Sequence, residues 1–167
     1  MTDTPKGDKV DILLEQWAQQ RPDLDTTPMG IIGRLGRTTK IIEQHLKSYF
    51  ATHNLELWEF DVLATLRRSG PPYTLTPKNL ADSTMVGNAA MTNRVDRLTQ
   101  RGLVTRQTNP VNRRQQHITL TPTGLHAIDT TITGHLATER HLIQTLTATE
   151  QHQLDQLLKK LLITLDT

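Results

Sequence analysis

Cysteine is missing from all 167 residues. Its absence excludes disulfides, thiol nucleophiles, iron–sulfur clusters and cysteine-ligated zinc, and it fits a reducing, cytoplasmic compartment. Long apolar runs are missing too. Hydrophobic residues make up 35% of the chain, and no stretch approaches the roughly 20 consecutive apolar residues that a membrane span needs. The opening MTDTPKGDKV is polar and lacks the apolar core of a signal peptide. Catalytic signatures are absent: no phosphate-binding glycine loop, no G-x-S-x-G elbow, no H-E-x-x-H pair and no dinucleotide glycine fingerprint. His135, Glu139 and His141 fall on one expected helix, where a solvated cluster is the plainer reading than a metal site. The chain therefore reads as a non-enzyme with no cofactor and no membrane partner.

What is present is a lopsided charge distribution. Net charge is only +2, yet residues 67–114 hold nine bases (Arg67, Arg68, Lys78, Arg94, Arg97, Arg101, Arg106, Arg113 and Arg114) against two acids, Asp82 and Asp96. That segment carries +7 and the remainder −5. A basic middle between acidic flanks points to a polyanionic partner. A length of 167 residues suits one ordinary domain with helical extensions.

Hydrophobic spacing and capping residues divide the chain into elements. Residues 8–20 form an amphipathic helix with Val10, Leu13, Leu14 and Trp17 on one side. Thr27 as cap and Pro28 in the first turn open a helix to about Thr52, with Ile31, Leu35, Ile42, Leu46 and Phe50 in a stripe; His53–Asn54 breaks it. Leu57, Phe60, Leu63 and Leu66 line a third helix from about Glu56 to Ser69, ended by Gly70-Pro71-Pro72. Thr76-Pro77 opens a short helix to about Asp82. After a turn at 83–87, a further helix runs from Asn88 to about Arg101, with Met91, Val95 and Leu98 inward and Gly102 as its stop. The period then becomes two: Leu103–Thr105 and Gln116–Leu120 read as strands joined by an exposed tip, TNPVNRR. Thr121-Pro122 opens a helix to about Leu146. Thr147 and Glu150 form a capping box for the last helix, apolar at Leu154, Leu157, Leu158, Leu161, Leu162 and Leu165.

The expected fold class is mainly α with a small β-wing. A winged helix-turn-helix spans residues 53–122, between N-terminal helices (1–52) and C-terminal helices (123–167), within a single structural domain. This order suits double-stranded DNA. A helix of about 14 residues fits the major groove. On the Asn88–Arg101 helix the outward positions include Asn88, Ala90, Thr92, Asn93, Arg97 and Arg101: small and polar groups for close approach, then arginines for phosphate or guanine. Lys78 adds a cation from the preceding helix. A thin hairpin bearing Arg113 and Arg114 suits the minor groove, whose negative potential attracts guanidinium groups.

These residues resemble the MarR family of winged-helix regulators. The resemblance is carried by Glu59-Phe60-Asp61-Val62-Leu63 with Leu66-Arg67-Arg68, by Leu75-Thr76-Pro77 and Leu80-Ala81, and by Met91-Thr92-Asn93-Arg94-Val95-Asp96-Arg97-Leu98. It continues through Gly102-Leu103-Val104-Thr105-Arg106, Asn112-Arg113-Arg114 and Leu120-Thr121-Pro122-Thr123-Gly124. One departure is Asn112, where the family usually has an aspartate that braces the wing. The resemblance implies a homodimer, joined by its N- and C-terminal helices, on a pseudo-palindromic operator, usually as a repressor. Leu13 and Leu14 of the first helix and the six leucines of the last one are the expected dimer contacts. The wide stripe on the last helix agrees with this from its own pattern.

A narrower resemblance is to the urate-responsive, PecS-like branch of that family. That branch has an extra N-terminal helix with a tryptophan, an aspartate in the third helix, and two arginines, in the recognition helix and at the first wing strand. Here these are Trp17, Asp61, Arg94 and Arg106, and the resemblance implies that they bind a small anionic effector, urate-like or an aromatic or other carboxylate. Two guanidiniums hold an anion, an indole stacks on a flat ring, and an aspartate orients an N–H or O–H. The competing reading makes Asp61–Arg94 a structural ion pair and Trp17 a dimer-core residue. The function expected is a ligand-responsive DNA-binding regulator; the alternatives are a constitutive DNA-binding regulator and a helical interaction module.

Overall fold

The computed structural model describes residues 7–108 and 116–166. The elements run α1 (Lys9–Gln20), α2 (Thr27–Thr52), α3 (Leu57–Arg68), β1 (Thr74–Leu75), α4 (Pro77–Ser83), α5 (Asn88–Gln100), β2 (Val104–Thr108), β3 (Gln116–Leu120), α6 (Pro122–Leu142) and α7 (Ala148–Leu165). No helix among the described residues is long and apolar enough to cross a membrane. The fold is thus mostly helical with a small antiparallel sheet, as the periodicity requires. The chain forms two compact units, one made of α1 and α2 as far as His45, the other starting at Leu46.

In the first unit, the Asp8 carboxylate caps α1 by accepting from the Val10 and Asp11 amides at 2.6 and 3.1 Å. Asp11 accepts in turn from the Asp8 amide at 2.6 Å, which completes a capping box. Arg34 of α2 bonds Asp8 at 2.8 Å and Asp11 at 2.5 Å. Close approach of the two helices rests on small residues: a Cβ on Gly33 would sit 3.4 Å from Val10, itself buried. Thr27 proves to be the first residue of α2 and not its cap. Asp25 supplies the acceptor instead, taking the Thr27 amide at 3.0 Å. Of the stripe expected on α2, Ile31 stays 56% exposed in this unit.

The second unit is built around α3, which buries Phe60, Val62, Leu63 and Leu66. Leu80 and Ala81 of α4, Met91, Val95 and Leu98 of α5, Ile118 and Leu120 of β3 and Ile128 of α6 complete the core, with Leu46 and Phe50 from the end of α2. Asn54 ends α2 in the left-handed region at φ 54°, and Gly102 ends α5 at φ 70°. The sheet has three strands in the order β1-β3-β2, with Val104 opposite Leu120 and Thr74 opposite Thr119. β1 was not among the expected strands. Two residues after a Gly-Pro-Pro turn are too short to show a period, and only pairing with β3 defines them.

Two further corrections concern α6. It ends at Leu142, short of the expected Leu146, because residues 143–146 form the connection to α7. The Gln151 side-chain amide ties that connection down, donating to the carbonyls of Ile143 at 3.3 Å and Leu146 at 2.9 Å. His135 is no solvated residue: its side chain is 12% exposed. Its ring lies 4.6 Å from Phe60 and 5.3 Å from Phe50, which themselves stack at 4.4 Å. The Nε2 atom of His135 meets Glu139 at 3.2 Å, while Nδ1 has no hydrogen-bond partner among the described residues.

Candidate functional site

Helices α4 and α5 form the helix-turn-helix. Thr76 caps α4, its hydroxyl accepting from the Asn79 amide at 3.2 Å, and Pro77 fills the first helical position. Met91, Val95 and Leu98 anchor α5 by one side. The other side therefore faces out, and Asn88, Ala90, Thr92 and Asn93 are all exposed, as is Lys78 on α4. Met85 is 90% exposed in the turn between the helices, at φ 53°. It was not singled out in the sequence, where it reads as one apolar residue in a turn. Asn112, Arg113 and Arg114 of the wing tip lie outside the described residues.

Arg94, Arg97 and Arg101 of α5 turn toward the N-terminal end of α3. Arg97 donates to Glu56 Oε1 at 2.5 Å, and its guanidinium carbon stands 4.6 Å from the centre of the Trp58 ring. Trp58 Nε1–H donates to the other oxygen of Glu56 at 2.7 Å. These bonds hold the Glu56 carboxyl below the ordinary carboxylate range, the indole N–H first and Arg97 next. Arg101 pairs with Glu59 and donates to the Asn54 carbonyl at 2.6 Å. Glu59 is 1% exposed, with one carboxylate oxygen unpartnered among the described residues. The sequence reading placed Arg97 and Arg101 outward, as DNA contacts. Both residues are exposed, and each guanidinium also bonds a carboxylate of α3 or its cap.

Arg94, one turn before Arg97, has its guanidinium carbon 5.6 Å from the Trp58 ring. It opens onto a cavity of about 420 Å³ whose wall includes Lys47 and Ala51 of α2, Glu56, Trp58 and Asp61. Two of the expected effector residues, Asp61 and Arg94, thus line one cavity in the second unit. Loss of hydration pushes the Asp61 pKa up, while Arg94, His135 and Arg68 pull it back. The cavity therefore has an aromatic wall, cations at Arg94 and Lys47, and a carboxylate whose pKa is raised by loss of hydration. Trp58 was missed in the sequence because it sat unremarked among the apolar residues of α3.

Arg106 is elsewhere. It donates to Asp96 at 2.8 Å and to the Gln116 side chain at 2.5 Å, bracing β2 against β3 and α5. Trp17 lies on α1 in the first unit and is 43% exposed. Leu13 is 50% exposed and Leu14 half-buried. On α7, Leu154, Leu157, Leu158, Leu161, Leu162 and Leu165 are all exposed, between 37% and 72%, and no described residue of that helix is buried.

The chain is 37% identical to the HTH-type transcriptional regulator PecS of Dickeya dadantii over 150 residues, which cover 90% of each protein. Its fold is similar to that of AbsC, a MarR family transcriptional regulator from Streptomyces coelicolor, with a TM-score of 0.76 at 22% identity, covering 86% of this chain and 96% of that one. It is also similar to a mutant of MarR from E. coli complexed with operator DNA, with a TM-score of 0.72 at 26% identity, covering 87% and 97%. A family model described as MarR family matches residues 53–115. With the helix-turn-helix, the three-stranded sheet and the long flanking helices, these likenesses give the conclusion: the chain belongs to the MarR family of DNA-binding transcriptional regulators and is not an enzyme.

Proposed function

We propose that the chain is a repressor that binds a pseudo-palindromic operator as a homodimer and is released by a small anionic metabolite. The observation that carries the effector is the placement of Arg94: a residue of the recognition helix forms part of the wall of a cavity that also holds Trp58 and Asp61. An anion drawn to Arg94 acts directly on the element that reads DNA. Arg94 and Lys47 attract negative charge, while Asp61 penalises a ligand that brings no donor. The combination favours a weakly acidic flat ring with N–H groups, such as urate, over a simple dicarboxylate. Trp17 and Arg106 remain effector candidates on the strength of the family resemblance.

The dimer is supported by α7. Six large apolar side chains on one helix are more exposed apolar surface than a monomer ordinarily leaves to water. A self-complementary contact along such a helix joins two lobes symmetrically, which suits half-sites about one DNA turn apart, near 34 Å. Cytoplasmic action follows from a DNA partner.

The effector is tested by calorimetry of the protein against urate, salicylate and citrate. Binding is expected for urate, with Asp61→Asn and Arg94→Gln each weakening it by about tenfold or more, the usual worth of a charge-assisted hydrogen bond. Equal, unsaturable heats for all three anions and all three proteins would leave the cavity without an effector.

A further inference from the structure

We propose that Glu56 and Trp58 form a latch that sets the position of the recognition helix, and that Arg97 serves DNA binding through this latch and not by touching DNA. The inference rests on operator binding by α5, the reading given above, but not on any effector. Its geometry is closed on itself. The Glu56 carboxylate spends one oxygen on the Trp58 N–H at 2.7 Å and the other on Arg97 at 2.5 Å. Arg97 then covers the same indole, 4.6 Å from its centre. Charge, hydrogen bond and cation–π contact thus bind three side chains from two elements into one unit. The Arg97 side chain is 56% exposed and one of its N–H groups holds Glu56; if that N–H turned to a phosphate instead, Glu56 would stand beside the DNA backbone as an uncompensated negative charge. Arg101, one turn further on, is committed in the same sense to Glu59 and the Asn54 carbonyl. Base reading on α5 then falls to the uncharged Asn88, Ala90, Thr92 and Asn93. Arg97, Glu56 and Trp58 are positioning residues.

The experiment is operator binding by the full chain over a range of salt concentrations, for the unaltered protein, Glu56→Gln, Arg97→Gln and Trp58→Phe. A phosphate-contacting arginine contributes about one unit to the slope of log affinity against log salt. A positioning arginine contributes nothing to that slope. The expected result is a loss of about tenfold in operator affinity for Glu56→Gln and Arg97→Gln, a change of about 1.4 kcal/mol, with the slope unchanged. Trp58→Phe keeps a ring under Arg97 but no N–H, and falls between them and the unaltered protein. Tighter binding by Glu56→Gln would mean that the substitution frees a phosphate contact, and it overturns the latch. A slope reduced by about two in Arg97→Gln, one for each protomer of the dimer, overturns it too, as does unchanged affinity in both variants. A variant whose thermal midpoint collapses is replaced in the comparison by Trp58→Phe, whose smaller change keeps the test decisive. If the unaltered protein binds no operator, the function falls and takes the latch with it; normal binding with any of the contrary variant results removes the latch alone.

Discussion

The double variant Leu158→Glu/Leu162→Glu is expected to sediment as a monomer and to lose operator affinity by at least about 100-fold, the scale on which joining two binding modules raises avidity. The two positions are one helical turn apart on α7, 41% and 57% exposed, on a helix with no buried residue among those described. Glutamate there costs the monomer little, because these side chains already face water. In a dimer each would place a carboxylate in an apolar seam, opposite its symmetry copy, where charge burial is heavily penalised. A single lobe retains only one half-site's phosphate contacts, so the salt slope should also fall to about half. Sedimentation and a salt series on the same preparation check both parts. A variant that remains dimeric, or a monomer that keeps full affinity and slope, would show that α7 is not the joint.

Arg101→Ala is expected to lower stability by about 3 kcal/mol, the scale for breaking a buried ion pair by removing one partner. The asymmetry of the pair sets this size. Arg101 is 33% exposed and would be missed only moderately, but Glu59 is 1% exposed and would be left as an unpaired charge in the core. The Asn54 carbonyl, which ends α2 in a left-handed turn, loses its donor at the same time. Glu59→Gln should cost less, since an amide oxygen can still accept the Glu56 amide, now held by Glu59 at 2.9 Å. Urea unfolding of the two variants reads the difference. A loss below about 1 kcal/mol in Arg101→Ala, typical of an exposed pair, would place this contact among the surface ion pairs.

Arg97 and Arg101 also show where the sequence stopped being legible. Helices α3, α4, α5 and α7 could be read from their stripes and caps because those signals are local: a capping box at Thr147 and Glu150, a proline after Thr76, apolar residues three and four apart. The inward face of α5 followed from Met91, Val95 and Leu98 alone, and those three are buried. The flanks of the same helix were not readable. Whether Arg97 faces solvent or a neighbour depends on where the start of α3 lies in space, and no periodicity carries that. One signal was available. Glu56 and Glu59 are three apart and Arg97 and Arg101 four apart, so each pair shares a helix face, and opposite charges spaced in this way are what the Glu56–Arg97 and Glu59–Arg101 ladder requires. Trp58 between the two glutamates marks the same place. For the cavity, Asp61 and Arg94 came from family resemblance, while Trp58 and Lys47 needed the fold, since α2, α3 and α5 meet there only in three dimensions.

The central claim is that an anion acting on Arg94 loosens the recognition helix from DNA. Its most direct test is operator affinity, on DNA from upstream of the protein's own coding sequence, measured at fixed salt with and without saturating urate. A coupling of about 2–3 kcal/mol predicts affinity 30- to 150-fold weaker with urate present. The same titration with Arg94→Gln should show little change. Undiminished affinity of the unaltered protein with urate, salicylate and citrate alike would contradict the account and leave a regulator that binds DNA constitutively.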